Sequence, residues 1–320
     1  MSSRDGAGSA CRERAASAVD PRVGHDGAVI VHLVDGTYEL FRQFFGRPGH
    51  ETADGREVGA CRAVLRSMLA MLDDGATHVG VATDSVVESF RNELYAPYKD
   101  GSDMDPLIKA QFPWLEDGLR ALGLATFAMT TYEADDAMAA AAVLAAGDDR
   151  VDKVMICTPD KDLAQVVRAG RIVQFDRRKE KIYDVEDVIE KFGVPPESIP
   201  DWLGLVGDSA DGFPGLQGWG AKSSALVLSR YGHIENIPLS AGQWDITVRS
   251  GAKLAQTLAD NMADALLFKK LATLALDAPT VDNVDEMRWT GPAPELEAFA
   301  AFVDAPDLVT KAAKLAAARS

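Results

Sequence analysis

The chain has 320 residues, of which 47% are hydrophobic and 26% charged, and its formal net charge is −16. This length and apolar content predict a globular protein with one large domain or two smaller ones, and the abundance of alanine predicts a helix-rich fold. No apolar run is long enough to cross a bilayer, so no membrane partner is expected. The negative charge also disfavours a nucleic-acid-binding protein, because such proteins are usually basic.

Residues 1–27 are predicted to form a disordered tail. They are mostly small and polar, and they lack the apolar stretch of a secretory signal. The three cysteines of the chain, Cys11, Cys61 and Cys157, form an odd and sparse set without the spacing of metal ligands. Such a set suits a reducing compartment, which predicts a cytoplasmic location.

Three short apolar runs predict buried strands, and each of them ends at or near an aspartate. The runs are residues 28–34, 78–83 and 153–158. The aspartates are Asp35, Asp84 and Asp160. Helical patterns lie between the runs, which predicts an α/β fold with a mostly parallel central sheet flanked by helices. Ligands bind beyond the carboxyl ends of the strands in such sheets, where the three aspartates would lie.

Further carboxylates stand where helices are predicted to begin, in residues 133–136, 160–162 and 208–211. One such cluster is usually only a set of N-cap and helix-dipole partners, but several clusters around one sheet are hard to explain in that way. The complete set is Asp35, Asp84, Glu133, Asp135, Asp136, Asp160, Asp162, Asp208 and Asp211. These charges would repel one another and raise each other's pKa unless cations bind. Oxygen ligands without histidine or cysteine predict Mg²⁺ or Mn²⁺.

A basic segment at residues 168–181 is a candidate phosphate-binding patch despite the negative net charge of the chain. Its cationic residues are Arg168, Arg171, Arg177, Arg178, Lys179 and Lys181. The alternative is that the segment is simply a solvated pair of strands.

A glycine-rich segment at residues 215–224 leads into a helix predicted from Ala225 to Arg230. Glycines let the backbone approach a ligand closely, and the start of a helix favours a phosphate. The segment is not a P-loop, because Ala221 separates the glycine from the lysine. A helix–turn–helix with a purely structural glycine turn is the alternative interpretation.

An ordered series of short motifs resembles the 5′–3′ exonuclease and flap endonuclease family. The motifs are residues 34–36 with 41–45, Asp84 with 89–95, 98–99, 133–136, 158–163, 207–211 and 215–223. Each motif is weak alone, whereas their order and spacing are specific. Within this family the chain resembles the 5′-nuclease domain of bacterial DNA polymerase I and its free-standing relatives, over about residues 28–275.

The resemblance implies a PIN-like 5′-nuclease fold with a helical helix–hairpin–helix module. The nuclease core would span residues 28–185, with an arch segment at about residues 90–112 through which a 5′ strand threads. A helix–hairpin–helix DNA-binding region would follow at residues 186–285. Residues 286–320 would form a C-terminal extension that ends in a short helix from Val309 to Arg319.

The resemblance also assigns the carboxylates to two or three Mg²⁺ or Mn²⁺ ions. The first ion would be held by Asp35, Asp84, Glu133 and Asp135. The second would be held by Asp160, Asp162 and Asp211. An outer or third site would be supported by Asp136 and Asp208. Two ions would clamp the scissile phosphate, one generating hydroxide and the other stabilising the leaving oxygen.

Other family residues would bind the DNA itself. Lys99 and Arg91 match basic residues that steady the scissile phosphate, and Phe41 matches an aromatic residue that stacks on the terminal unpaired base. The hairpin residues that match those gripping duplex phosphates without reading sequence are Gly218, Gly220, Lys222 and Ser223. In the family this hairpin also binds K⁺.

The arch segment departs from the family pattern. Residues 100–106 are acidic and contain no arginine, although the family usually has one shortly after the lysine at position 99. A weaker electrostatic grip on a flap is therefore expected. The expected partner is DNA with 5′ flaps, nicks or free 5′ ends, bound by a monomer in the cytoplasm at the nucleoid.

Two alternatives belong to other functional classes. A catalytically inactive module that binds branched DNA would lack one of the metal-binding carboxylates, and none is missing. A haloacid-dehalogenase-type phosphatase would need a nucleophilic aspartate two residues before Asp35, where Leu33 stands instead.

Overall fold

A six-stranded sheet forms the centre of the protein in a computed structural model that describes residues 29–319. The strands are β1 (Val29–Asp35), β2 (His78–Asp84), β3 (Ala125–Met129), β4 (Val151–Cys157), β5 (Ile172–Asp176) and β6 (Lys181–Tyr183). Their order is β3-β2-β1-β4-β5-β6, and every neighbouring pair is parallel except β5 with β6. The predicted α/β fold with a mostly parallel sheet is confirmed. The predicted tail and Cys11 lie outside the described residues.

Thirteen α-helices surround the sheet within residues 29–319. They are α1 (Gly36–Gly46), α2 (Gly59–Asp73), α3 (Phe90–Leu94), α4 (Pro106–Lys109), α5 (Gln111–Ala121), α6 (Ala134–Ala146), α7 (Val185–Phe192), α8 (Ile199–Val206), α9 (Ala221–Tyr231), α10 (Gly251–Asp260), α11 (Met262–Ala272), α12 (Leu296–Phe302) and α13 (Asp307–Arg319). In the described part of the chain, no helix has the length and apolar character needed to cross a membrane.

The two faces of the sheet are covered differently. On one face α6 packs against β1, β2 and β4, and most of its buried residues are alanines. Alanine loses no rotamer entropy on burial, which favours an alanine-rich helix in so enclosed a position. On the other face α1, α2 and α5 form a larger core with Leu65, Leu115 and Trp289. Both layers hold the carboxyl ends of the strands in a fixed arrangement.

The C-terminal extension packs back onto this second layer. Arg66 of α2 donates two hydrogen bonds to Asp307, at 2.9 and 2.7 Å, where α13 begins. The guanidinium of Arg56 lies 3.8 Å from the ring centre of Phe302, and His50 contacts Asp304 at 2.9 Å. The predicted terminal helix is present as α13. It begins two residues before the predicted start, because Asp307 opens it.

Helices α7 to α11 share a separate hydrophobic cluster that includes Leu203, Phe213, Trp219 and Phe268. This is the helical module that the sequence predicts. The helix predicted from Ala225 is α9, which begins four residues earlier.

The expectation that a helix starts around residues 208–211 is wrong, because this segment is a tight loop. Asp208 and Phe213 exchange two backbone hydrogen bonds of 2.8 and 3.0 Å. Gly207 and Gly215 close the loop with φ angles of 88° and 67°. A Cβ on Gly215 would lie only 2.4 Å from the amide nitrogen of Gly207, so the chain can pass here only without side chains. The helix predicted from Asp160 is a single 3-10 turn, Asp162–Val166.

The basic segment at residues 168–181 forms a strand pair, but its strand β5 is buried and not solvated as the alternative interpretation expects. It contains β5 and the start of the antiparallel β6. Arg171 donates to three backbone carbonyls, Arg177 pairs with Glu39, and Lys179 pairs with Asp176. These cations stabilise the protein's own structure.

Candidate metal centre and nucleic-acid interface

Two neighbouring strands place carboxylates at one edge of the sheet. Asp35 ends β1 and caps α1, where its side chain accepts hydrogen bonds from the Tyr38 N–H at 2.7 Å and the Thr158 hydroxyl at 2.9 Å. Asp84 ends β2 and accepts from the Ala134 N–H at 2.8 Å. These donors orient both carboxylates while leaving each oxygen with a free lone pair.

The starts of two further elements add acids to the same edge. Asp135 lies in the first turn of α6, which begins beside Asp84. Asp160 and Asp162 follow β4, and the N–H of Asp162 donates to the Asp160 carboxylate at 3.1 Å. Burial and then the negative charges of Asp160 and Asp35 raise the pKa of Asp135 well above its usual range. The structure therefore brings together the acids that the sequence predicts from three strand ends and one helix start.

The loop between α8 and α9 completes the cluster. Ligand oxygens of Asp162, Asp208 and Asp211 all lie within 4.8 Å of one another. The Oδ1 atom of Asp162 is buried and accepts no hydrogen bond from the residues that the structure describes. A buried carboxylate oxygen without a donor is costly, and the neighbouring acids add to that cost. This donor set of carboxylate oxygens around an unsatisfied atom fits a hard divalent cation.

Asp208 belongs to this group more closely than the predicted outer position suggests. Its side chain also accepts from Lys161 at 2.7 Å. Sequence reasoning could not place it beside Asp162, because the tight loop that carries it was interpreted as a helix.

Arg91 and Asp136 do not have the predicted geometry. The Arg91 side chain is 2% exposed and donates to both oxygens of Asp136, each at 2.7 Å. It also donates to the carbonyls of Leu271 and Thr273 at 2.7 and 3.1 Å. Asp136 further accepts from two backbone amides, so its lone pairs are used. A buried charge pair of this kind has no donor left for a phosphate and no oxygen left for a metal. The predictions that Arg91 steadies the scissile phosphate and that Asp136 supports a metal site are therefore wrong.

Glu133 connects that buried pair to the exposed edge of the site. Its Oε1 accepts from Ser89 and Arg91, and its Oε2 accepts from Tyr98 and Lys99. Burial alone would raise its pKa, but the two cations outweigh burial and lower it. Four donors already occupy the Glu133 carboxylate, and two of them, Arg91 and Lys99, are cationic. Glu133 is therefore better placed to hold these cationic side chains than to bind a metal ion, which is a correction to its predicted role. Ser89 and Tyr98 are contributors that sequence reasoning missed, although both lie inside the matched motifs.

Lys99 lies at the edge of the carboxylate cluster. Its Nζ is 2.8 Å from Glu133 and 2.9 Å from Asp211, and its side chain is 29% exposed. Burial would lower the pKa of this ammonium, but the two carboxylates raise it well above its usual range. The structure therefore places a cationic side chain beside the acids.

The glycine-rich hairpin lies on the helical module. Gly218 is exposed and has a φ of 87°, and the Lys222 side chain is exposed at the start of α9. The Ser223 hydroxyl accepts from the Gly220 N–H at 3.1 Å and donates to the Gly220 carbonyl at 3.0 Å. Ser223 therefore caps the helix, while Lys222 and the backbone are presented outward.

The predicted base-stacking residue is half-buried. The ring of Phe41 contacts Phe112 and Phe45 at centroid distances of 6.3 and 6.2 Å. Phe45, one helical turn farther along α1, is 73% exposed. Phe45 is thus the ring that is most available for stacking, and only its helical spacing from Phe41 could have pointed to it in the sequence.

Loss of the Arg91 guanidinium should destabilise the fold. Arg91→Ala would leave Asp136 as an unpaired buried charge, which costs about 3–5 kcal/mol of unfolding free energy. Urea denaturation measures this change. Arg120→Ala, which removes an exposed ion pair, is the matched control and should cost about 1 kcal/mol or less. Unchanged stability of Arg91→Ala together with lost cleavage would restore the predicted phosphate role.

The metal-free protein should lose stability as the pH rises. Burial, followed by the charge of Asp84, raises the pKa of Asp35 from 3.8 to about 7, against the opposing Tyr38 N–H. An acid with a raised folded-state pKa binds its proton more tightly when folded, so its contribution to stability is lost between those two values.

The melting temperature of Asp35→Asn in a chelator should therefore fall less between about pH 5 and pH 8 than that of the unaltered chain. Asp282→Asn, at an exposed position, is the control and should follow the unaltered chain. Equal pH dependence in all three proteins would contradict the raised pKa of Asp35.

Two family models match consecutive parts of the chain. Residues 30–193 match the family model of the 5′–3′ exonuclease N-terminal resolvase-like domain, and residues 194–295 match that of the 5′–3′ exonuclease C-terminal SAM fold. DNA polymerase I of Bacillus caldotenax is 34% identical over 268 residues, which are 81% of this chain and 29% of the polymerase. The 5′–3′ exonuclease of Aquifex aeolicus is 34% identical over 209 residues, covering 65% of this chain and 71% of that protein.

A solved structure shares the fold. The flap endonuclease of bacteriophage T5, in a complex with DNA and metal ions, has a TM-score of 0.60 at 21% identity, covering 90% of this chain and 99% of its own. The chain spans less than a third of the polymerase that it matches. The two family models together account for residues 30–295, which include every carboxylate of the candidate site. The chain therefore belongs to the 5′–3′ exonuclease family.

Proposed function

We propose that this chain is a divalent-metal-dependent 5′ nuclease that hydrolyses DNA phosphodiesters at 5′ flaps, nicks and free 5′ ends during replication and repair. The observation that carries the proposal is the convergence of carboxylates at one sheet edge, with a lysine ammonium among them. The acids are Asp35, Asp84, Asp135, Asp160, Asp162, Asp208 and Asp211. The relatives named exonuclease and flap endonuclease support the same reaction class.

Two groups of these acids would hold Mg²⁺ or Mn²⁺. Asp35, Asp84 and Asp135 would serve one ion, and Asp162, Asp208 and Asp211 would serve the other. Exposed Asp160 lies between the groups, since its charge acts on the pKa of both Asp135 and Asp162. When bound, such ions supply an activated water and stabilise the leaving oxygen.

The protein's own residues would orient the phosphate. Lys99 is fixed by Glu133 and by the backbone bond of its N–H to the Asp211 carbonyl, at 3.1 Å. Its ammonium would bind a phosphate oxygen as a point charge. Thr158 holds Asp35 in place, and Ser89 holds Glu133. Arg91 has a structural role in this scheme, because it keeps α3 against α6.

The hairpin would hold the duplex beyond the cut. Exposed Lys222 and the outward amides around Gly218 offer donors that contact phosphates without reading sequence. The hairpin would also bind a K⁺ ion. The arch would grip a flap weakly, because residues 100–106 contain no cationic side chain. Asp100 and Asp105 in this segment accept hydrogen bonds from the backbone of a turn and of the α4 start. Phe45 would supply the stacking surface for an unpaired base.

The protein would act as a monomer in a reducing compartment at the nucleoid. Cys61 and Cys157 are free and buried. Burial raises the pKa of the Cys157 thiol to about 12 and that of Cys61 above its usual range, so both thiols stay protonated and unreactive.

Asp135→Asn should separate chemistry from binding. The change removes a proposed metal ligand without touching the hairpin, so cleavage of a labelled flap in Mg²⁺ or Mn²⁺ should fall by more than about a hundredfold. The dissociation constant for the flap, measured by anisotropy in a chelator, should change by less than about threefold.

Asp282→Asn carries the same charge change at an exposed position and should cleave normally. Near-normal cleavage by Asp135→Asn would remove that residue from the metal centre. If the unaltered chain binds flaps but cleaves none in either metal, the chain is the inactive branched-DNA module instead.

Lys222→Ala should weaken binding of duplex DNA at every sequence. The expected loss is about 1 kcal/mol for one charged hydrogen bond, with the slope of log K against log salt reduced by about one. Fluorescence anisotropy across a KCl series measures both. Single-turnover cleavage at saturating enzyme should change much less. A lowered melting temperature with an unchanged salt slope would mean that Lys222 only stabilises α9.

A further inference from the structure

A cavity of about 450 Å³ lies between the C-terminal helix α13 and the loop that joins α2 to β2. Its lining residues include Gly75, Thr77, Arg288, Trp289, Thr290 and Arg319. We call this the α13 cavity. The wall supplied by α13 lies beyond the residues that match the family models. Sequence reasoning assigned no function to any of these residues.

The cavity lies at the opposite end of the sheet from the carboxylates. Thr77 directly precedes β2, and Asp84 ends that strand. The seven residues of β2 separate the two ends by about 20 Å. A small ligand in the α13 cavity therefore does not touch the candidate metal centre, and the proposed cleavage reaction gives the cavity no role.

Trp289 holds the walls of the cavity together. Its backbone N–H donates to the Thr77 carbonyl at 2.8 Å, and its indole N–H donates to the Leu122 carbonyl at 2.7 Å. Trp289 is only 4% exposed, and the guanidinium of Arg319 lies 5.2 Å from its ring centre. Arg319 also donates to the Leu72 carbonyl at the end of α2. The cavity is therefore pre-formed, as small-molecule sites usually are.

Two guanidinium groups line the cavity from different walls, and no carboxylate is among the lining residues. Arg288 is exposed and forms no ion pair within residues 29–319. The nearby Asp285 is engaged by Arg150 at 3.1 Å. Burial lowers the pKa of Arg319 and the charge of Asp73 opposes this effect, but the two side chains form no ion pair. Two cations that face one concave surface create a local positive potential that attracts anions.

The hydroxyl groups of the lining add polar contacts without adding negative charge. The Thr77 hydroxyl lies 2.9 Å from Nδ1 of His78. Burial, followed by the charge of Arg288, lowers the pKa of His78, so this ring is neutral at pH 7. Thr290 is exposed, and its hydroxyl has no hydrogen-bond partner in the part of the chain that the structure describes. This hydroxyl is available to donate to an oxygen of a bound anion.

We propose that the α13 cavity binds a small phosphate-bearing ligand of about nucleotide size, with its phosphate between Arg288 and Arg319. The planar guanidinium fork matches the spacing of phosphate oxygens and can bind two of them at once. The cavity volume falls within the range of about 300–1,000 Å³ that is typical of small-molecule sites. This inference does not depend on the proposed function, because none of its residues belongs to the candidate metal centre or to the hairpin.

The test is isothermal titration calorimetry of the full chain with pyrophosphate and with deoxyadenosine monophosphate. A chelator is present so that no metal ion bridges the probe to the carboxylates. The unaltered chain should bind with a dissociation constant below about 1 mM. Arg288→Ala and Arg319→Ala should each weaken binding about tenfold, because each removes a charged hydrogen bond. Arg288→Glu should abolish binding, because it places a negative charge beside the phosphate.

Lys314→Ala is the matched control, since Lys314 is an exposed cation of α13 that does not line the cavity. It should bind both probes like the unaltered chain. If Arg319→Ala lowers the melting temperature, Arg288→Ala decides, because the Arg288 side chain is exposed and forms no ion pair within residues 29–319. Flap cleavage in Mg²⁺ should be the same for Arg288→Ala as for the unaltered chain.

Three results would overturn this inference and leave the proposed function intact. One is that the unaltered chain binds neither probe although it cleaves flaps. Another is that Arg288→Ala binds both probes as tightly as Lys314→Ala does. The third is that Lys222→Ala abolishes binding, since the anion would then lie at the hairpin. If binding is confirmed, tighter binding of the monophosphate than of pyrophosphate identifies a nucleotide as the ligand, and the reverse order identifies free phosphate compounds.

Discussion

Mutual repulsion among the carboxylates at the sheet edge is the constraint on which the rest of the structure depends. Desolvation and neighbouring negative charge both penalise the ionised forms of Asp35, Asp135 and Asp162. The fold opposes this penalty with oriented donors, because the amides of Tyr38 and Ala134 are positioned by the helices that begin there. A cation-binding site requires such a preorganised set of like charges. The folding free energy that their repulsion costs is offset by packing in the rest of the protein.

The buried arginine shows how that packing and the site are connected. Arg91 and Asp136 form a closed ion pair, and through Glu133 the same network reaches Lys99 at the exposed edge. One end of the network is completely enclosed and stabilises the contact of α3, α6 and α11. The other end, at Lys99, is partly exposed to solvent. Arg91 is thus enclosed in the fold and Lys99 is partly exposed, although both lie in the same matched region of the sequence.

Much of this arrangement is predictable from the sequence, for identifiable reasons. The strands β1, β2 and β4 are central and buried, so they appear as mostly apolar runs that end at or near an aspartate. The strand β3 is only half-buried and short, and β5 lies inside a basic segment, so neither has that signature. Burial of Arg91 and the tight loop at Asp208 depend on contacts with residues far away in the chain, which no local pattern shows. The availability of Phe45 over Phe41 likewise follows from what packs against α1.

The C-terminal extension has a consequence for how the protein is made. Arg66 pairs with Asp307, which lies 241 positions later in the chain, and the α2 face of the core is completed by α13. Contacts this distant in sequence close late and slow folding, because the intervening chain must first be brought together. During synthesis the part of the α2 surface that α13 covers therefore stays exposed until α13 itself has emerged. A partly made chain would expose that surface to aggregation or to chaperones.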